Sequence, residues 1–280
     1  MSKLAPVINR SSNVPLWFLV FLTLAVAANA RGEPPALPEA EDLPHRSLNE
    51  IIDRAAESLG GRGTLGAIDS VSIRQTLRRD AGESISIVIL KKRPRLIRVT
   101  LTHEHFIQTQ AFDGTRGWVR QQAAGVDRSR YISAEEAERI IREHTLVPVY
   151  IEPATVGARL EAGGRVRFAG YSCYVIHAHF SNGDHHEYLI DGREFVERRV
   201  VRSIRRGDNV HRVEIVPREP EFVDGVLFPR RLIYFIDGKR DAVAHLEHIE
   251  INPGLLAETF ALPELVPPPR DEPAAQEDPP

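Results

Sequence analysis

The chain has 280 residues, of which 42% are hydrophobic and 27% charged, and it carries a formal net charge of −3. This composition excludes a disordered protein, and a single all-β domain of this length can bury a substantial core. The weakly acidic balance, with no basic run and no RNA-reading aromatic motif, argues against a nucleic-acid partner.

Residues 1–30 have the pattern of a secretory signal peptide. Lys3 and Arg10 give a positive start, an apolar run follows at 14–28, and Ala28-Asn29-Ala30 fits the small-x-small cleavage rule. The run is shorter than the ~20 apolar residues that cross a bilayer, which favours a cleaved signal over an anchor. We therefore expect the mature protein in the periplasm.

Cys173 is the single cysteine of the chain. An intramolecular disulfide is therefore impossible, and the fold must depend on its hydrophobic core. Within the apolar stretch YSCYVIHAHF this cysteine is expected to be a small buried hydrophobe, because nothing near it in sequence would activate a thiol nucleophile.

The mature chain is predicted to begin with a flexible Pro-rich linker, 31–44, followed by a helix. Ser47 and Glu50 form an S-x-x-E capping box, and Gly60-Gly61 is a typical helix end. The apolar residues between them have the spacing of one helical stripe: Leu48, Ile51, Ile52, Ala55, Ala56 and Leu59.

The next segment, GRGTLG at 61–66, matches the dinucleotide fingerprint G-x-G-x-x-G. That fingerprint needs a strand before the glycines and a helix after them, since the helix N-terminus holds the pyrophosphate. Here a predicted helix precedes the glycines and a predicted strand follows. The segment is therefore interpreted as a helix-to-strand connection.

From Ile68 onward apolar and polar residues alternate, which is the period of antiparallel strands. Turn residues interrupt the pattern at Lys92-Arg93-Pro94 and at Asp113-Gly114, and the second turn predicts a hairpin that returns through Trp118. The other predicted strands cover 71–77, 85–90, 96–102, 106–112, 166–169, 172–180, 186–190, 195–204, 210–216, 226–236 and 242–251.

A second capping box, Ser133 with Glu136, predicts a short helix that interrupts the strands. The result is an antiparallel meander of roughly ten strands with two helical segments. A sheet of this size curls, and its apolar inner surface must be covered by helices, filled by side chains or left to bind a ligand.

Several motifs, in order, resemble those of LolA-like outer-membrane lipoprotein-sorting proteins across about residues 45–265. They are LKKRPRLIRV, FDGTRGW with Asp-Gly ahead of the tryptophan, YLIDGREFVERRV, EFVDGVLFP and AETFALP. The resemblance implies a mainly β fold with α segments: a half-open, curved antiparallel β-barrel with an N-terminal helix and a helical lid insertion. Residues 266–280 are predicted to form a disordered, acidic, Pro-rich tail.

The resemblance also implies a function. Such proteins carry the acyl chains of lipoproteins or other lipids across the periplasm, here in outer-membrane lipoprotein sorting, and meet inner- or outer-membrane proteins as partners. We expect a monomer that uses no cofactor and is not an enzyme.

A carrier of this kind needs a dry concavity, because acyl chains bind by apolar transfer worth roughly 0.8 kcal/mol per buried CH2. The residues predicted to line it are Ile85, Ile87, Ile89, Phe106 and Trp118. Ordinary core packing explains each of them equally well.

Two alternatives remain open. His103 with His105, and His177 with His179, are i, i+2 pairs that could chelate a metal from one strand face. However, the sequence has no H-E-x-x-H, Cys-rich zinc or G-x-S-x-G motif, so no metal site is expected. The second alternative is a lipid-sensing or protein-interaction module of the same fold, which needs the same apolar surface.

Overall fold

The computed structural model describes residues 36–206 and 209–263. The predicted signal peptide at 1–30 and the predicted tail at 266–280 lie outside these described residues. Within the described ranges, no helix combines the length and the apolar character that crossing a bilayer requires.

Within the described residues, three α-helices and two short 3-10 helices accompany the strands. The helices are Leu48–Ser58 (α1), Arg62–Gly66 (α2) and Ala134–Glu143 (α3), and the 3-10 helices are Pro153–Val156 and Ala257–Phe260. The strands are Ser70–Arg79 (β1), Ser84–Lys92 (β2), Leu96–His103 (β3), Phe106–Phe112 (β4), Gly117–Ala123 (β5), Val126–Tyr131 (β6), Arg159–Phe168 (β7), Tyr171–His179 (β8), His185–Asp191 (β9), Glu197–Arg206 (β10), Asn209–Val223 (β11), Val226–Ile236 (β12) and Lys239–Ile251 (β13).

All described strands belong to one antiparallel sheet with the order β6-β5-β4-β3-β2-β1-β13-β12-β11-β10-β9-β8-β7. The curved sheet is not closed into a barrel, because β6 and β7 form its two edges. The prediction of a curved, half-open antiparallel fold is confirmed. The first strand, β1, lies in the middle of the sheet, and from there the chain builds to the β6 edge, crosses to the β7 edge and returns to pair β13 with β1.

The sheet has thirteen strands rather than the roughly ten predicted from sequence. Strand β6 was missed because its sequence, VDRSRY, is polar and mostly exposed, so it has no apolar alternation to detect. Strand β7 begins at Arg159 rather than near Val166 for the same reason, since its first half is largely exposed.

Helix α1 begins after its predicted N-cap, but the Glu50 carboxylate accepts from Arg46 instead of completing the predicted capping box. The Ser47 side chain accepts a hydrogen bond from the backbone N–H of Glu50 at 3.2 Å. Beyond its last turn Gly60 has a φ of +123°, and a Cβ there would come within 2.1 Å of the Gly225 carbonyl oxygen. Only glycine fits this close approach. The GRGTLG segment continues as α2 and connects α1 to β1, as predicted.

The described part of the predicted linker, 36–44, packs against the sheet rather than hanging free. The Ala40 backbone N–H donates to the Arg165 carbonyl at 3.1 Å, and the Arg167 N–H donates to the Pro38 carbonyl at 2.7 Å. Ala40 is fully buried, and the Asp42 carboxylate accepts a hydrogen bond from the Ser172 hydroxyl. Composition gave no sign of this contact, because its partner groups, among them the Arg165 and Arg167 side chains, lie on strands more than a hundred residues away in sequence.

The two faces of the sheet have different surroundings. We call the face that packs against α1 and α3 the inner face, and the opposite one the outer face. Strand pairing places Ile73, Ile87 and Ile89 on the inner face, with Val99 beside Ile89 on the neighbouring strand. The main hydrophobic core lies between these side chains and the helices.

Segment 132–158 carries the chain between the two edges of the sheet and contains α3. We call this segment the crossover. A complete capping box begins its helix, since the Ser133 side chain accepts from the Glu136 N–H at 3.1 Å and the Glu136 carboxylate accepts from the Ser133 N–H at 3.0 Å. Its buried side chains face the core: Ala137, Ile140, Ile141, Val147, Val149, Tyr150 and Ile151.

We expect Trp118→Ala to lower the free energy of unfolding by about 3–4 kcal/mol, because the ring is fully buried and its loss leaves a cavity. Urea unfolding followed by circular dichroism measures the change. Tyr131→Ala is the matched control, since Tyr131 pairs with Trp118 across β5 and β6 but is 48% exposed. Equal unfolding midpoints for the two variants would contradict the prediction.

Candidate functional site

The core is incomplete between the sheet and the crossover, where a cavity of about 520 Å3 remains. This volume lies within the range of small-molecule sites. Strands β1, β2 and β10–β13 form most of one wall, and residues 142–149 of the crossover form the other. The apolar part of the wall includes Ile73, Ile87, Ile89, Val213, Ile215 and Leu232.

Two of the five predicted lining residues line this cavity. They are Ile87 and Ile89, which alternate inward along β2. Ile85 is buried on the same face, and Phe106 is half-buried against the main core, but both lie outside the cavity lining. The alternation along β2 therefore predicts which side chains face inward, but it does not predict which of them border the cavity.

The fifth predicted lining residue, Trp118, is not in the cavity wall, because its side chain lies on the outer face of the sheet. It is paired with Ala111, while its neighbour Gly117 faces inward, where a Cβ would approach Ile132 and Ala137 within 2.8 Å. The indole Nε1–H donates to the Phe260 carbonyl at 2.9 Å. The C-terminal 3-10 helix, not a ligand, covers this tryptophan.

Several ion pairs hold the crossover in place over the cavity, including one between Arg95 in the β2–β3 turn and Glu138 on α3 at 2.6 Å. The Arg142 guanidinium on α3 donates to the Asp184 carboxylate in the β8–β9 turn at 2.7 Å, and both side chains are buried. The Arg93 guanidinium in the β2–β3 turn holds the Glu152 carboxylate in two hydrogen bonds, at 3.0 and 2.7 Å. A bidentate pair of this kind fixes geometry as well as charge.

One part of the cavity wall is cationic. Lys91 follows Ile89 on the inner face of β2, and its Nζ donates to the Thr145 carbonyl of the crossover at 2.9 Å. Burial, followed by the positive charge of Arg202 on β10, lowers the pKa of Lys91 to about 8. Burial and the charges of Lys91 and Arg202 lower the pKa of His144 to about 3, so its ring is neutral.

Acidic and phenolic groups also face this wall. Burial raises the pKa of Glu197, while the neighbouring Tyr150 hydroxyl and the Arg202 charge act in the opposite direction. Burial raises the pKa of Tyr188 and of Tyr234 as well. Tyr188 and Tyr234 therefore stay neutral, and their hydroxyls give the cavity polar atoms beside its aliphatic wall.

The predicted histidine pairs lie away from the cavity. His177 and His179 share the outer face with His185, whose Nε2 lies 3.0 Å from the Nδ1 of His177. Burial and the two neighbouring histidines lower the pKa of His185. His105 lies in the β3–β4 turn, so it does not continue a strand face with His103. Across 36–206 and 209–263, no cluster of three or more His, Cys, Asp and Glu residues could hold a metal ion.

Comparison with solved structures shows the fold. A LolA-superfamily protein of Nitrosomonas europaea aligns with a TM-score of 0.53 at 12% identity, over 78% of this chain and 99% of its own. A DUF1329-family protein of Desulfovibrio piger aligns with a TM-score of 0.51 at 12% identity, over 78% and 98%. A Vibrio parahaemolyticus domain assigned to outer membrane lipoprotein sorting aligns with a TM-score of 0.50 at 10% identity, over 76% and 97%.

No protein-family model matches the sequence. No curated protein matches it either. The likeness is therefore one of three-dimensional structure at low identity, and it shows that the chain has the LolA-like fold that its motifs resemble.

We expect His144 to make the protein less stable in acid. Its pKa is about 3 in the folded state and ~6.5 in an unfolded chain, so the unfolded state takes up a proton that the folded state refuses. The stability that depends on neutral His144 is therefore fully present above pH 6.5 and is lost progressively as the pH decreases toward 3. By pH 5 this residue alone should cost about 2 kcal/mol.

The measurement is urea unfolding of the wild type and of His144→Gln at pH 7.5 and pH 5. The lowered pKa of His186 also makes the fold less stable in acid, and the raised pKa of Glu197 has the opposite effect. Only the difference between the wild type and His144→Gln therefore reports on His144. His248→Gln, which removes a histidine that is 60% exposed, is the control. Parallel pH profiles for the wild type and His144→Gln would refute the assignment.

Proposed function

We propose that this protein is a periplasmic carrier that shelters acyl chains, of lipoproteins or of another lipid, in the inner-face cavity. The observation that carries the proposal is an apolar cavity of about 520 Å3 between a curved sheet and a covering segment. Acyl chains need such a dry surface and no catalytic group.

The energetics of apolar transfer support this role. Burying about ten methylenes yields roughly 8 kcal/mol, which corresponds to micromolar binding before the costs of association. Binding in this range is compatible with both loading and release. An aliphatic wall also sets no strict chain length, because transfer free energy follows buried area rather than directional contacts.

The crossover is the element that we expect to act as a lid. It covers the cavity and is held by ion pairs that include Arg142–Asp184, Arg95–Glu138 and Arg93–Glu152. A ligand can enter if the Arg93–Glu152 pair opens while the other two pairs keep α3 attached. Such a hinge-like opening is a common route into enclosed sites.

The predicted signal peptide supports a periplasmic location, and the fold shared with a lipoprotein-sorting domain supports a role in outer-membrane lipoprotein sorting. In that role the protein would act as a monomer and exchange its cargo with inner- or outer-membrane proteins. The alternative is a lipid-sensing module that does not carry its ligand. Such a module would use the same cavity and would differ from a carrier in the protein that it contacts.

The first test is native mass spectrometry of the mature protein purified from its own periplasm, followed by lipid extraction. We expect an acyl-containing molecule bound to a single copy of the chain. The same preparation, after delipidation, should bind a fluorescent fatty-acid probe. Protein that carries no lipid and takes up no probe would overturn the proposal.

The cavity itself is tested by filling it. Ile87→Trp places a larger ring inside the wall and should weaken probe binding about tenfold, or ~1.4 kcal/mol. Ile107→Trp is the matched control, because Ile107 lies on the outer face of β4 and is 36% exposed. Equal probe affinities in the two variants would place the acyl site elsewhere.

A further inference from the structure

Lys91 and Arg202 meet across the cavity although their strands are far apart in the sheet. Four strands, β1, β13, β12 and β11, separate β2 from β10. The two side chains nevertheless both line the cavity, and each is close enough to His144 to act on its pKa. Curvature of the sheet therefore brings two positive charges to one place in an otherwise largely aliphatic wall.

These cations differ from Arg79, Arg142 and Arg198 in the cavity wall, each of which forms an ion pair. Arg79 pairs with Asp241 at 2.7 Å, and Arg198 pairs with Asp191 at 2.8 Å. Within the described ranges, neither Lys91 nor Arg202 forms an ion pair. Buried or partly buried charges are normally paired, so this arrangement leaves positive charge without its usual compensation.

Hydrogen bonds at the same place are also incomplete. Lys91 has three donors, and the Thr145 carbonyl takes one of them. The Nε of Arg202 and the Nε2 of His144 are buried and have no hydrogen-bond partner among the described residues. Unmet polar groups of this kind carry a desolvation cost that an incoming acceptor would remove.

Two carboxylates in the wall need to be considered. Burial raises the pKa of Glu197 and the Arg202 charge opposes that rise, so Glu197 compensates part of the Arg202 charge, but no carboxylate acts on the pKa of Lys91. Glu143 also lines the cavity, where its charge acts on Tyr234. The region around Lys91 therefore remains positive.

We propose that the cavity takes an amphiphile with an anionic head, a carboxylate or a phosphate, held between Lys91 and Arg202 with its alkyl chain along Ile87, Ile89 and Leu232. This inference rests on the proposed acyl-binding function and adds the class of head group. An anionic head supplies both the missing negative charge and the missing acceptors. The chain lies along the aliphatic wall.

The test compares four single-chain ligands with the same twelve-carbon tail: dodecanoate, dodecyl phosphate, dodecanol and dodecyltrimethylammonium. Each displaces a neutral fluorescent acyl probe from the mature, delipidated protein, below its critical micelle concentration. We expect at least one anionic ligand to bind at least tenfold more tightly than dodecanol, and the cationic ligand to bind weakest. The ratio of dodecanoate to dodecyl phosphate affinity then identifies the source of the anion.

Lys91→Met should abolish the anion preference, measured within the variant as the ratio of anionic-ligand affinity to dodecanol affinity. Lys92→Met is the matched control, because the neighbouring Lys92 faces the other way and is bonded to Asp69 at the surface. Arg202→Met provides a second, independent variant on the other strand and should also reduce the preference.

The outcomes separate the two proposals. If all twelve-carbon ligands bind with equal affinity and Lys91→Met changes nothing, the carrier function stands and the anionic head group is wrong. If no ligand displaces the probe, or no probe binds, both proposals fail.

Discussion

The strand order of the sheet imposes one long connection, and the rest of the molecule depends on it. Because β1 lies inside the sheet, the chain completes one half at β6 and must then travel to the opposite edge before it can build the other half. A hairpin cannot make this journey, so the crossover passes over the inner face. Its helix and buried apolar residues become the cover of the core, and its path decides where that core stays open.

Much of this arrangement could be predicted from sequence where strands keep a clean period of two. Both Ile87 and Ile89 lie in the cavity wall, where the uninterrupted alternation of β2 and the turns at its two ends put them. Trp118 was misplaced because the face of a residue after a hairpin depends on where pairing resumes. Pairing restarts at Gly117, which takes the inner position opposite Phe112 and turns Trp118 outward.

The cationic part of the cavity escaped sequence analysis for a different reason. A lysine or arginine in an alternating strand is ordinarily assigned to solvent. However, Lys91 has the same odd-numbered strand position as Ile85, Ile87 and Ile89. The alternation of side chains along β2 therefore directs Lys91 to the inner face. Arg202 likewise follows Val200 by two residues on β10. No local pattern shows that β2 and β10 face each other, because that proximity arises only from the curvature of the complete sheet.

An open sheet leaves two edges whose backbone groups could recruit a strand from another molecule. At the β6 edge, Asp127, Arg128 and Arg130 put charge on both sides of the strand, which opposes stacking of a second copy. At the β7 edge the segment around Glu39 pairs with Val166, and the register shift between Ala162 and Arg165 interrupts the remaining ladder. Charge at one edge and a paired, irregular ladder at the other thus protect the molecule from edge-to-edge aggregation although its sheet is not closed.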